Sequence, residues 1–201
     1  MGKVKNTKNE LKAQRDALKR YQRYLPTLQL KKQQLQSEVR RVEHELDAAV
    51  RREHDLLEDL AAWVELFSDA VDFSPYLAVE RIVTDDSNVA GVNVPVLRQV
   101  DWQRRPPDLF DAPLWWDDAL ACLEKLVTTR LERRVLDEQK RLLSEELRTT
   151  NQRVNLFERV KIPECKDAIR RIRIFLGDVQ TLDVARGKIA KRKALERETA
   201  Q

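Results

Sequence analysis

The sequence predicts an all-α-dominated protein, a long antiparallel two-helix coiled coil with a small insert carrying a β-hairpin. Three observations predict it. Apolar residues recur at heptad spacing across the first third of the chain, and a second helical stripe runs through the last third. Between them, residues 68–118 hold five of the seven prolines. Two long helices flanking a short insert must fold back on each other, because neither can bury its stripe alone.

The first helix is read from Thr7 to Phe67. Counting position a from Leu11 gives Leu18, Leu25, Lys32, Val39, Leu46, Glu53 and Leu60. Position d runs Gln14, Tyr21, Leu28, Leu35, Val42, Ala49, Leu56 and Trp63. Thirteen of these 16 positions are apolar, sustained over eight heptads, which is a coiled-coil seam. The insert, 68–118, changes character. Val79–Thr84 reads as a strand, Asp85-Asp86-Ser87-Asn88 as a polar turn, and Val92–Leu97 as a second strand made an edge by Pro95. A lone hairpin is marginal, so Trp102, Phe110, Trp115 and Trp116 are the expected support. The third part, 119–201, opens near Asp111-Ala112-Pro113 and runs through Leu120, Leu123, Val127 and Leu131. Its stripe drifts, then returns cleanly after Pro163 as Cys165, Ile169, Ile172, Leu176 and Val179. Pairing Phe67 with Leu120 makes facing residues sum to about 187 and sets Pro26 opposite Pro163. Both helices are then expected to bend or loosen at one height.

Composition agrees with long helix. Charged residues make up 36% and only four glycines occur, yet net charge is only +4 and 42% of residues are hydrophobic. Charges can pair and a seam can form, so disorder is excluded. Charge is uneven along the chain: residues 1–24 carry net +6, 186–201 net +4 and 68–118 net −6. A folded-back pair of helices would bring both basic ends to one tip and the acidic insert to a foot. Such a tip suits nucleic acid, anionic lipid or an acidic protein cavity.

No secretory signal pattern and no stretch approaching a membrane span occurs, so the chain is expected in the cytoplasm. Cys122 and Cys165 form no CxxC and read as reduced, packed thiols. His44 and His54 sit on a charged face, and Asp85-Asp86 and Asp117-Asp118 lack calcium-loop spacing, suiting a turn and a helix N-terminus instead. Without a Walker loop, GxSxG or zinc pattern, no catalytic, cofactor or metal site is expected. The chain should neither bind nor hydrolyse ATP alone.

The stretch Thr150-Asn151-Gln152-Arg153-Val154-Asn155-Leu156-Phe157-Glu158, followed by Ile162-Pro163, resembles the D subunit of the V-type/A-type rotary ATPases, a family that carries T-x-x-R-V-N-x-x-E and then Ile-Pro on the C-terminal helix. Ile169-Arg170-Arg171-Ile172 resembles the family's next turn. Thr7-Lys8-Asn9-Glu10-Leu11 and Leu28-Gln29-Leu30-Lys31-Lys32 resemble its opening helix. The resemblance covers both helices, while the insert matches in architecture only, and Pro26 is a departure.

The resemblance implies a non-catalytic central-stalk rotor shaft, transmitting torque between an ATP-hydrolysing or ATP-synthesising head and an ion-translocating membrane ring. Implied partners are the catalytic and regulatory subunit hexamer around the helix termini, the small F rotor subunit on the lower coil, and a socket subunit above the ring. Neither nucleic acid nor direct membrane insertion is implied; the chain would be peripheral to the membrane through the complex. Candidate subunit contacts are Thr150, Arg153, Asn155 and Glu158, the basic residues Lys188, Lys191, Arg192 and Lys193, and Trp115 and Trp116. Each has a plainer reading: Arg153 and Asn155 as bonds within the coil, the lysines as a solvated helix end, the tryptophans as packing for the hairpin. The alternative function is a basic coiled-coil nucleic-acid-binding or scaffold protein. That reading expects a basic stripe along the rod, whereas residues 25–67 sum to −3 and 119–185 to +3.

Overall fold

The computed structural model describes residues 5–61, 73, 75–106 and 115–198. Its elements, in chain order, are α1 (Lys8–Ala61), β1 (Leu77–Val89), β2 (Val92–Arg104), α2 (Trp116–Leu156), a π-helical turn (Phe157–Lys161) and α3 (Ile162–Glu198). This is the helical coiled coil with a hairpin insert that the heptads predict. The expected junction at Phe67 and Ser68, the start at Asp111-Ala112-Pro113, Trp63 and Phe110 lie outside the described residues.

α1 begins where its capping chemistry says it should. The Glu10 N–H donates to the Thr7 hydroxyl oxygen (3.2 Å), satisfying one of the helix's unpaired first-turn donors. Every described seam position from Leu11 to Leu60 is buried or half-buried. α2 starts at Trp116 with Asp117 and Asp118 in its first turn, where carboxylates oppose the helix dipole favourably.

The chain divides into two compact units. The unit Lys31–Thr149 holds the middle of the helices and the hairpin. As α1 advances from Lys31 to Glu53, its ion-pair partners retreat from Glu146 to Arg130, so the helices are antiparallel. The core is Leu35, Val42, Val94 and Leu143, all at most 1% exposed. Val94 belongs to β2. The hairpin therefore leans on the helical seam itself, with Val89, Ala90 and Val92 packed at the edge of the same cluster. Part of the expected aromatic support stands at the hairpin's base: Trp116 stacks on Phe73 (4.9 Å between ring centroids) and meets Tyr76, the residue before β1, edge-on (5.0 Å). This third partner explains the drift of the α2 stripe and a register that slides. Lys31 meets Glu146, ten residues short of the position that a constant sum of 187 requires.

The hairpin turn also differs from expectation. β1 and β2 are 13 residues each, and Asp85, Asp86, Ser87 and Asn88 all lie inside β1, paired to Val96, Pro95, Val94 and Asn93. The chain reverses at Ala90-Gly91, with φ of 51° and 81°. Two consecutive positive φ values make the primed turn whose twist matches a β-hairpin. Asn88 secures it, its side-chain oxygen accepting from the Gly91 N–H (3.1 Å) and its amide donating to Asn93 (2.8 Å). The exposed polar run misled because an open two-stranded ribbon tolerates polar residues on its solvent side. Pro95 keeps its expected edge role, and its carbonyl accepts from the Gln139 amide of α2 (2.6 Å). Substituting Gly91→Ala places a second Cβ in the left-handed region and is expected to cost about 1 kcal/mol. Faster amide exchange confined to residues 77–104 would report it.

The second unit gathers the chain up to Leu30 and from Thr150 onward. Thr150, Val154, Cys165, Ala168, Ile169 and Ile172 are buried, against half-buried Leu11, Leu18, Tyr21, Leu25 and Leu28. The stripe after Pro163 is present as read, and from residue 180 to 195 α3 is exposed on all sides.

Candidate subunit-contact surfaces

The motif stretch 150–158 ends in a change of helix type. At the π turn the Ile162 N–H donates to the Phe157 carbonyl, five residues back. Pro163 supplies the cause. It has no N–H and its ring crowds the carbonyl four residues earlier, so one wider turn relieves a clash that an α-helix would suffer. α1 shows no matching interruption at Pro26, where the helix continues and the Thr27 hydroxyl donates to the Tyr24 carbonyl (2.8 Å). The loosening expected of both helices is confined to one. Tyr21 of α1 packs on Phe157 at 5.0 Å between ring centroids.

The candidate residues divide by burial. Thr150, 1% exposed, is inside its unit and acts as a packed residue. Asn155 is half-buried, whereas Arg153 and Glu158 are exposed, as are Leu156 and Val160 beside them. Polar and apolar side chains are thus both exposed around the π turn. Lys188, Lys191, Arg192 and Lys193 lie on the exposed end of α3. Trp116 is 6% exposed within its aromatic cluster and Trp115 is half-buried at its edge, their ring centroids 6.3 Å apart.

Sequence reasoning missed the most buried charge among the described residues. Glu53, a seam position, is 7% exposed and takes Arg130 Nε at 2.8 Å and Arg133 Nη1 at 2.7 Å. The Arg130 hydrogen bond, partly opposed by burial and aided by the Arg133 charge, holds its carboxyl below the usual value of 4.5. A carboxylate at position a had announced the need for cations across the seam, but long side chains hide which ones answer. Because the folded value is depressed, the stability Glu53 contributes is present above pH 4.5 and lost as pH falls through its folded value. Glu53→Gln is expected to lower stability at pH 7 by about 2 kcal/mol. The variant should also flatten the acid limb of a melting-temperature profile below pH 4.5; an unchanged limb would show that the triad contributes nothing.

Among the described residues there is no cluster of His, Cys, Asp or Glu able to hold a metal, and no helix long and apolar enough to cross a membrane. Cys165 is buried, which pushes its thiol up from the ordinary value.

The chain is similar over nearly its whole length to known proteins. The ATP synthase D-subunit family matches residues 10–192. The V-type ATP synthase D subunit of Borreliella burgdorferi is 41% identical over 197 residues, covering 98% of each chain. The V-type ATP synthase D subunit of Chlamydia caviae is 36% identical over 199 residues, covering 96% of this chain and 95% of that one. The corresponding Chlamydia pneumoniae protein is 37% identical over 195 residues, covering 94% and 92%. With full-length relatives, a family match across both helices and a hairpin-bearing coil, the chain belongs to the ATP synthase D-subunit family and is a central-stalk subunit of a V-type/A-type ATPase.

Proposed function

We propose that the chain is the rotor shaft of its complex, carrying torque between the nucleotide-driven head and the ion-translocating ring, and performing no catalysis itself. The observation that carries this reading is the unbroken seam of α1, in which every described a and d position from Leu11 to Leu60 is shielded. Torque transfer needs elements that resist twisting, and paired helices with interdigitated side chains do so far better than one. Cross-helix ion pairs at Glu53, Lys31, Arg52 and Glu43 add directional ties. In this reading residues 1–67 and 119–201 form the shaft and 68–118 its insert. The exposed basic end of α3, with Lys188, Lys191, Arg192 and Lys193, faces the hexamer of catalytic and regulatory subunits. The surface at Arg153, Asn155 and Glu158 contacts a partner subunit, and so does the edge of the aromatic cluster at Trp115 and Trp116. The small F rotor subunit and the socket subunit complete the set, and the chain stays peripheral to the membrane through the complex. A pull-down of the tagged chain from native membranes, read by mass spectrometry, should recover a nucleotide-binding hexamer and ring subunits. Recovery of nucleic acid or of the chain alone would refute the proposal.

A further inference from the structure

The shielded face of α3 ends at Val179, and every residue from 180 to 195 is exposed. Leu182, Val184, Ile189 and Leu195 lie in that stretch, each 49–60% exposed. Its composition opposes a helix that stands alone. Neither Gly177 nor Gly187 takes a positive φ, and a Cβ added at either would meet nothing within 4 Å. No turn and no close approach within the protein calls for glycine there, yet each weakens the helix about fivefold relative to alanine. The Thr181 hydroxyl donates to the Gly177 carbonyl (3.1 Å), a bond that competes with the helical ladder where the shielded face runs out. Arg186, Lys188, Lys191, Arg192 and Lys193 put five cations into eight residues. Lys188 lies three and four positions from Lys191 and Arg192, spacings at which like charges repel on a helix. The ion pair of Arg186 with Asp183 is long, 3.7 Å, and exposed.

A short helix held by its own backbone alone is marginal in water, and α3 beyond Val179 lacks the packing that holds the rest of the helices. Each unfavourable feature is one that a partner would reverse. An acidic surface would neutralise the cations, and an apolar lining would cover Leu182, Val184, Ile189 and Leu195. We propose that α3 beyond Gly177 is a conditional helix, frayed while the chain is free and wound when an acidic, apolar-lined collar of the catalytic and regulatory hexamer closes on it. The continuous α3 is the wound state. Winding draws on the free energy of docking, so the chain docks less tightly than its contacts alone would allow and can be released and reloaded. The two glycines set how much is drawn. The occupant rests on the shaft reading; the fraying does not.

The test is amide hydrogen exchange of the full chain, alone and in the assembled complex. In the free chain, amides 180–198 should exchange within about tenfold of an unstructured peptide, while 165–176 exchange at least about a hundredfold more slowly. In the complex, 180–198 should become protected. Gly177→Ala/Gly187→Ala should slow exchange of that stretch in the free chain about fivefold or more. In competitive assembly with the unsubstituted chain, the double variant should be taken up about tenfold or more in preference. Ala185→Gly, at an exposed site of the same stretch, should shift both readings the other way. Protection of 180–198 in the free chain equal to that of 165–176 would overturn the proposal, as would fast exchange in a complex that retains the hexamer. Poorer uptake of the double alanine variant would also overturn it, by showing that the glycines serve close approach to the partner. Absence of the hexamer from the purified complex would instead refute the shaft reading, and the named occupant with it.

Discussion

Leu143→Ala is expected to cost about 3 kcal/mol and to release the hairpin along with loosening the helix pair. Leu143 is fully buried, and it shares one cluster with Leu35 and Val42 of α1 and Val94 of β2. Truncation removes apolar contacts to two helices and the sheet at once, and the long helices cannot close the cavity without bending. The tie from Gln139 to the Pro95 carbonyl lies one helical turn away, so the hairpin should lose much of its anchorage. Chemical denaturation would give the loss of stability, and amide exchange across 77–104 would rise by more than in Gly91→Ala. A melting point unchanged within a degree would show that the hairpin does not depend on this cluster.

Arg51→Pro should uncouple the machine. Arg51 is an exposed residue of α1, so the substitution spares the seam while breaking the backbone ladder. Proline there removes the hydrogen bond to the Asp47 carbonyl and clashes with it, costing roughly 3 kcal/mol and kinking the helix. In the assembled complex, ATP-driven ion uptake is expected to fall several-fold further than ATP hydrolysis. Arg51→Ala, at the same exposed site, should leave the ratio of ions moved to ATP hydrolysed unchanged. Equal falls in both rates for the proline variant would argue that α1 is not a path for torque. The natural Pro26 is informative here, since α1 stays helical through it.

How much of this was legible in the sequence depended on the number of partners each stripe has. α1 keeps strict heptads because one face meets the rest of the protein throughout, and its shielded positions are those the spacing marks. α2 serves both α1 and the hairpin, so Leu126, Gln139 and Leu143 are buried together with Trp116 and Ala119, and no single stripe describes them. Once Pro163 is passed and the hairpin is gone, the repeat returns at Cys165, Ile169 and Ile172. The polar run 85–88 resembles a turn, but backbone freedom sets the reversal, and Gly91, the insert's lone glycine, marks it.

The candidate contacts were legible unevenly for a similar reason. Motif spacing located the stretch around the π turn, but a linear pattern does not say that Thr150 points inward while Arg153 and Glu158 face solvent. The paired tryptophans likewise look alike in the sequence and part company in space, Trp116 filling an aromatic cluster and Trp115 edging it. Glu53 was visible as an exception in the seam, yet its partners lie 77 and 80 residues away. Pairings at that separation are written in the fold, not in local spacing.

The shaft reading is tested most directly by watching the chain turn. Asp86, exposed on β1, can be changed to cysteine and linked to a bead, with Cys122 and Cys165 replaced by serine. In the immobilised, assembled complex supplied with ATP, the bead should rotate continuously in one direction, in steps whose rate follows hydrolysis. A bead that stays still while hydrolysis continues at the unlabelled rate would contradict the role proposed for this chain.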